Sequence, residues 1–289
     1  MRLLTALAAL LVSLGVFAAE KTQPEFTFTA IPDQNEAQLR ERFGQMASYL
    51  SEQLGLPVSY IPVKSYPAAI TAFRNNQVQL AWFGGLSGVQ ARALVPGSVA
   101  LAQGYEDQFF KSYFIAHKSA GLTPGEQLPE ALRGKTFTFG AKGSTSGRLM
   151  PEFYLREAFG IAPEALFKRV GFSGDHSRTL ALVQSGAYQV GALNYSVWDQ
   201  AVAKGEVDTE QVQLIWTTPT YPDYQWSARG DLDAQFGAGF TEKLTRALLT
   251  IDDPALLQSF PRQRFVPANN GFYQPIEDTA RAIELMNSW

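Results

Sequence analysis

The 289-residue chain contains no cysteine, which excludes a disulfide, a thiolate metal site and a lipid-modified cysteine anchor. It has only two histidines, His117 and His176, and neither a metal nor a cofactor is expected. Lys and Arg number 24 against 27 Asp and Glu, with no basic block or stripe, so nucleic acid is not an expected partner. Nothing after residue 20 approaches the length of a transmembrane run. No internal repeat or low-complexity segment is present.

What the chain does have begins with an export-like segment. Arg2 precedes a mostly apolar run from Leu3 to Phe17, and Ala18 and Ala19 supply small residues at a cleavage point. Residues 1–19 therefore read as a cleavable signal peptide, with an uncleaved anchor as the alternative. A cysteine-free exported chain of this size must be held together by its core, which points to the periplasm of a Gram-negative bacterium. The remaining length of about 270 residues suits two lobes or one large α/β unit.

Strand-like and helix-like segments alternate. Phe26 to Ile31, Val58 to Val63 and Gln79 to Phe83 read as strands. Between them, Glu36 to Leu54 carries Leu39, Phe43, Met46, Leu50 and Leu54 at helical spacing, and Tyr66 to Asn75 forms a second helix. This β-α-β-α-β order predicts a mostly parallel sheet flanked by helices. Such sheets bind ligands beyond the C-terminal ends of their strands. A second β-α series starts at Lys135. Breaks near 118–125 and 217–225 predict two lobes joined by two crossings: 20–118 with 225–289 as lobe one, and 119–224 as lobe two. A cleft between such lobes can close on a small ligand by hinge motion.

The stretch Gly140-Ala141-Lys142-Gly143-Ser144-Thr145-Ser146-Gly147-Arg148 lies between a strand-like run, Lys135 to Phe139, and a helix-like one, Met150 to Phe159. Glycine lets the backbone turn tightly and approach a ligand. A helix start offers unpaired N–H groups and a partial positive charge, and three hydroxyls add donors. Ser and Thr are equally favoured there as ordinary caps. The sequence alone thus leaves anion binding and capping both open.

The ordered set Tyr66-Pro67-Ala68-Ala69-Ile70, Gln79-Leu80-Ala81-Trp82-Phe83-Gly84, Gly143-Ser144-Thr145-Ser146-Gly147 and Gly174-Asp175-His176 resembles the phosphonate/phosphite-binding family of ABC-transporter periplasmic proteins. A subgroup labelled selenate-binding looks closest. The resemblance implies a two-lobed type II periplasmic binding protein, monomeric, that captures a small tetrahedral oxyanion and delivers it to an ABC permease in the inner membrane. It implies that Ser144, Thr145 and Ser146 hold the anion, with Tyr66 reaching it from lobe one and His176 from lobe two. Phe110 falls near a tyrosine of phosphonate binders. Asn194-Tyr195-Ser196 and Asp223-Tyr224 occupy the neighbourhoods where aminophosphonate binders carry acidic residues. With no carboxylate firmly placed, an amine-bearing ligand is disfavoured and the balance tilts toward accept-only anions such as selenate; Asp175 or Asp223 could reverse that tilt.

The turn after Phe83 could offer N–H groups to the cleft, and Tyr195, Tyr221 and Tyr224 could line it. Packing is the competing role for each of them. Two other functions are carried beside the importer reading. One is a periplasmic oxyanion sensor for a histidine kinase. The other is a hydrolase with Ser144 or Ser146 as nucleophile and His176 as base, which the missing G-x-S-x-G elbow and the adjacency of Asp175 to His176 disfavour.

Overall fold

A computed structural model describes residues 25–286, so the expected signal segment 1–19 lies outside the described residues. Among the described residues, eleven strands form two sheets. The strands are β1 Phe26–Ala30, β2 Val58–Tyr60, β3 Leu80–Phe83, β4 Val99–Gly104, β5 Ser112–His117 and β6 Thr136–Phe139. They continue as β7 Arg169–Phe172, β8 Val190–Asn194, β9 Val212–Thr217, β10 Gln225–Ala228 and β11 Phe265–Pro267. The first sheet has the order β11-β4-β10-β3-β1-β2 and the second β7-β6-β8-β5-β9. Helices α1 Glu36–Leu54, α2 Tyr66–Arg74 and α3 Gly85–Leu94 belong to the first lobe. Helices α4 Met150–Phe159, α5 Pro163–Leu166, α6 His176–Gln184 and α7 Tyr195–Ala203 belong to the second.

Local chemistry accounts for the clearest of these elements. In α1 the Asn35 side chain accepts from the Gln38 N–H, and Gly55 takes the left-handed conformation (φ 69°) that ends the helix. Its Leu39, Phe43, Met46, Leu50 and Leu54 are buried on one face, the face that helical spacing predicts. In the first lobe Phe43 packs edge-on against Phe28, Trp226 and Phe260. The second lobe has a core on each face of its sheet, with Phe114 facing one and Ile115 the other, the two-residue period of a strand buried on both sides.

Both sheets are mixed. β1, β2 and β3 are parallel, as are β6, β7 and β8, whereas β10 runs antiparallel between β3 and β4. The short strands β10 and β11 are not apparent from the sequence. The expected first break also moves. β5 pairs antiparallel with β8 and β9, so the second lobe begins at Ser112 rather than after residue 118. The Pro124-Gly125 interruption is a turn inside that lobe, where the Gly125 N–H donates to the Ile215 carbonyl.

The crossings therefore run from Gly104 to Ser112 and from Thr217 to Gln225. They lie side by side. Phe110 and Tyr221 exchange two N–H···O bonds of 2.9 Å, and the Asp223 N–H donates to the Asp107 carbonyl at 2.9 Å. This antiparallel ribbon is the hinge. Arg262 clamps it, bonding Asp107 through Nε at 2.8 Å and Nη2 at 2.6 Å.

Candidate functional site

The loop after β6 enters α4 through a five-residue π-helical turn, Thr145–Leu149. Such turns widen the helix locally and recur at functional sites. Ser144 caps this turn, its Oγ accepting from the Gly147 N–H at 2.9 Å. Gly140 and Gly147 pack backbone to backbone, and a Cβ on Gly140 would lie 3.2 Å from the Gly147 Cα. Capping and exposure to the interlobe junction are thus properties of one loop.

Residues 143–147 touch the surrounding groups in turn. A Cβ on Gly143 would meet Tyr66 Cβ at 3.0 Å, so the two lobes approach here as closely as backbone allows. The Ser144 side chain lies beside the Tyr66 phenol. Thr145 Oγ1 accepts from the Leu86 N–H at the start of α3, and the Thr145 hydroxyl lies close to the Asp223 carboxyl. The Ser146 carbonyl accepts from Ser112 Oγ, which is itself 2.6 Å from the Tyr221 hydroxyl. A Cβ on Gly147 would come within 3.0 Å of His176 Cε1.

Of the residues expected from sequence, Tyr66, Ser144, Thr145, Ser146 and His176 are brought together, each no more than 3 % exposed. Phe83, Tyr195 and Tyr224 are placed otherwise. The Phe83 ring packs edge-on against Phe73 in the core. The N–H groups that follow it are already used: Gly84 donates to Ser87 Oγ, Gly85 to Asp223 Oδ1 and Leu86 to Thr145. Tyr195 is half-buried against Phe110 and Tyr113, with Lys111 over its ring. Tyr224 stacks on Trp82 and donates to Asp33 Oδ2 at 2.7 Å. Arg148 pairs with Glu152 and stacks on Phe139 and Phe172, and Lys142 lies over Phe172. Outside Tyr66 and Gly143, a cavity of about 700 Å³ opens between the lobes, bordered by Tyr60, Lys142, Phe172 and Arg178.

Ser146 Oγ, His176 Nε2 and Asp223 Oδ2 are among the buried side-chain atoms that have no hydrogen-bond partner among the described residues. Leaving such atoms unpaired is costly, which marks the place as one built for a polar guest. His176 sits at the first position of α6, and its Nδ1 accepts from the Asn194 N–H at 3.2 Å. The ring proton must then be on Nε2, where it is free to be donated. Burial pushes the imidazole down to about 4, with Asp175 only partly offsetting this, so His176 is neutral at pH 7. Burial likewise holds Tyr66 well above its usual range, as a phenol that donates.

Asp223 is the residue that the sequence did not place firmly. It lies on the second crossing, fully buried, with one oxygen held by Gly85 N–H at 2.7 Å and the other unpartnered. Burial raises its carboxyl to about 7, against the pull of the Gly85 N–H and the Thr145 hydroxyl. Its position one residue before Tyr224 could be read from the chain, but its arrival beside Thr145 depends on the hinge. Asp175, the other carboxylate considered, caps α6 through the Arg178 N–H. That leaves His176 Nδ1 on a backbone amide with no carboxylate to orient it, which is not the geometry of a hydrolase triad.

Two α/β lobes joined by a paired ribbon, with buried polar side chains between them, have the architecture of a type II periplasmic binding protein. The sequence profile described as "ABC transporter, phosphonate, periplasmic substrate-binding protein" matches residues 28–273. The chain belongs to this family, and it is a substrate-binding protein rather than an enzyme. It is 43 % identical over 261 residues, 88 % of each chain, to "Probable ABC transporter phosphite binding protein PhnD1" of Prochlorococcus marinus (strain MIT 9301). The solved structure of PhnD1 in complex with methylphosphonate superimposes with a TM-score of 0.86 at 42 % identity, over 90 % of this chain and 98 % of that one. A binding component of an ABC phosphonate transporter from Pseudomonas aeruginosa shares the fold, with a TM-score of 0.79 at 21 % identity over 92 % of this chain and 90 % of that one.

Proposed function

We propose that the chain is exported to the periplasm by its N-terminal signal and captures phosphite or a small phosphonate for an ABC permease. It would act as a monomer. Ser144, Ser146, His176 and Tyr66 supply neutral donors. Thr145 holds the lobes together through Leu86 and lies close to Asp223.

The observation that carries the choice of anion is the unpartnered Asp223 oxygen. A fully deprotonated anion would face a second negative charge there whenever the carboxyl is ionised. Phosphite and methylphosphonate exchange their second proton near neutral pH, and a carboxyl at about 7 can share that proton with them. Sulfate and selenate carry no such proton. The tilt toward accept-only anions rested on having no placed carboxylate, and an Asp223 carboxyl beside Thr145 favours protonated anions instead. The similarity to PhnD1 points the same way.

The test is calorimetry of the mature chain against phosphite, methylphosphonate, phosphate, sulfate and selenate. Phosphite and methylphosphonate should bind at least about tenfold more tightly than selenate, a difference of about 1.4 kcal/mol. Equal or tighter selenate binding would remove Asp223 from its assigned role. A thermal shift with none of these anions would sink the receptor reading.

A further inference from the structure

Four hydrogen bonds close a ring that passes from one lobe to the other and back through the hinge. The His176 N–H donates to the Asp33 carbonyl at 2.9 Å. The Asn194 N–H donates to His176 Nδ1 at 3.2 Å. Asn194 Nδ2 donates to the Tyr224 hydroxyl at 3.3 Å, and that hydroxyl donates to Asp33 Oδ2 at 2.7 Å. Asp33 follows β1 in lobe one, His176 and Asn194 belong to lobe two, and Tyr224 ends the second crossing. All four are at most 2 % exposed.

Asn194 and Tyr224 are oriented from outside the ring, whereas the other Asp33 oxygen, Oδ1, has no hydrogen-bond partner among the described residues. Asn194 Oδ1 accepts from both the N–H and the hydroxyl of Ser196, so its amide nitrogen must face Tyr224. The Tyr224 ring is stacked on Trp82 with centroids 5.5 Å apart and planes 22° from parallel. The only O–H of Tyr224 is spent on Asp33, so it has no proton left for an anion.

We infer that Asp33, Asn194 and Tyr224 form an interlobe latch. They are positioning residues that favour closure without an anion and hold His176 in the tautomer whose Nε2–H faces the site. This replaces the expectation that Tyr224 contacts the ligand. The latch concerns closure itself and rests on the anion-receptor reading only for its effect on affinity. A latch that raises the closed fraction raises apparent affinity by the same factor, because the anion no longer has to select a rare state.

The chain has no cysteine, so Glu52→Cys and Lys168→Cys, one exposed site in each lobe, give a clean dye pair for single-molecule energy transfer. Without anion, the mature protein should populate the closed state, and Tyr224→Phe should lower the closed-to-open ratio about tenfold, with phosphite affinity falling by the same, smaller factor as the closed fraction. Asp33→Ala should do the same, and the double variant should be no more open than either single one, the signature of a shared bond. Nitrogen-15 shifts should show His176 protonated at Nε2. A closed fraction unchanged by Tyr224→Phe, fully additive effects, or a proton on Nδ1 would each overturn the latch. Energy transfer in anion-free buffer speaks to the latch alone. Failure of phosphite to bind the unmodified protein would instead defeat the receptor reading.

Discussion

The two strands of the hinge ribbon each bury a carboxylate, and a single backbone hydrogen bond joins the residues that carry them. Asp107, on the first crossing, meets Arg262 through two bonds and the Gly104 N–H through a third. Asp223, on the second, has Gly85 N–H, a threonine hydroxyl and a free oxygen. Burial raises both carboxyls, yet only Asp107 has a cation to pull it back strongly. Burial therefore does not distinguish a structural carboxylate from a functional one; the completeness of its partners does.

The largest expected effect breaks the structural member. Asp107→Ala leaves the Arg262 guanidinium buried without its partner, a loss of about 3–5 kcal/mol of folding stability. Chemical denaturation would measure it, and a change below about 1 kcal/mol would show that the ion pair does not hold the hinge.

Asp223→Asn should act in the opposite way. Near pH 7.5 stability should change less than in Asp107→Ala, whereas phosphite affinity should fall about ten- to a hundredfold with the loss of a hydrogen bond to a charged group. The new amide N–H should at the same time improve sulfate and selenate binding. Calorimetry with the same anion panel would check both directions.

Acidity sharpens the contrast between Asp223 and His176. In the folded protein the Asp223 carboxyl lies near 7 instead of 3.8, so the folded state holds the proton that the unfolded chain releases. Its contribution is fully present below the unfolded value and is lost as pH rises from about 4 through about 7. His176, lowered from 6.5 to about 4, contributes stability above its unfolded value that is lost as pH falls from 6.5 through about 4. The stability advantage of the unmodified protein over Asp223→Asn should therefore shrink between pH 5 and 7.5, by at most about 1.4 kcal/mol per pH unit. Denaturation midpoints of both proteins at the two pH values would show it, and an advantage that grew with pH would contradict the raised carboxyl.

Ser146→Ala should weaken phosphite about tenfold by removing one donor, with little change in melting temperature. The smallest effect is expected of Lys142→Ala. Its ammonium lies over Phe172 at the cavity mouth, so affinity at physiological salt should stay within about twofold. A larger loss would mean that the mouth of the cleft contributes to the bound state.

Much of this molecule could be read from the chain because the information was local. Helix α1 has its cap, its apolar face and its terminating glycine within 21 residues, and its bounds match those expected. The Ser-Thr-Ser loop was visible for the same reason. Strands β10 and β11 were not, because four- and three-residue strands acquire their identity from distant partners. β5 was legible as a strand but not as a member of the second sheet, since its partners β8 and β9 lie about 75 to 105 residues away. Tyr195 and Tyr224 showed a similar limit: their chemistry suited a cleft wall, but neighbouring aromatics placed the Tyr195 ring and Asp33 took the Tyr224 hydroxyl.

The sequence by itself determined the alternating elements and the anion-competent loop. Those properties follow from residue type and short spacing. Only the tertiary structure decided that Asp223 would lie beside Thr145, that His176 would be neutral with its proton on Nε2, and that Asp33 and Tyr224 would tie the lobes together. Each of these depends on burial and on contacts between residues far apart in the chain. Desolvation and through-space hydrogen bonds have no representation in local sequence, and they exist here only once the hinge has brought the two lobes face to face.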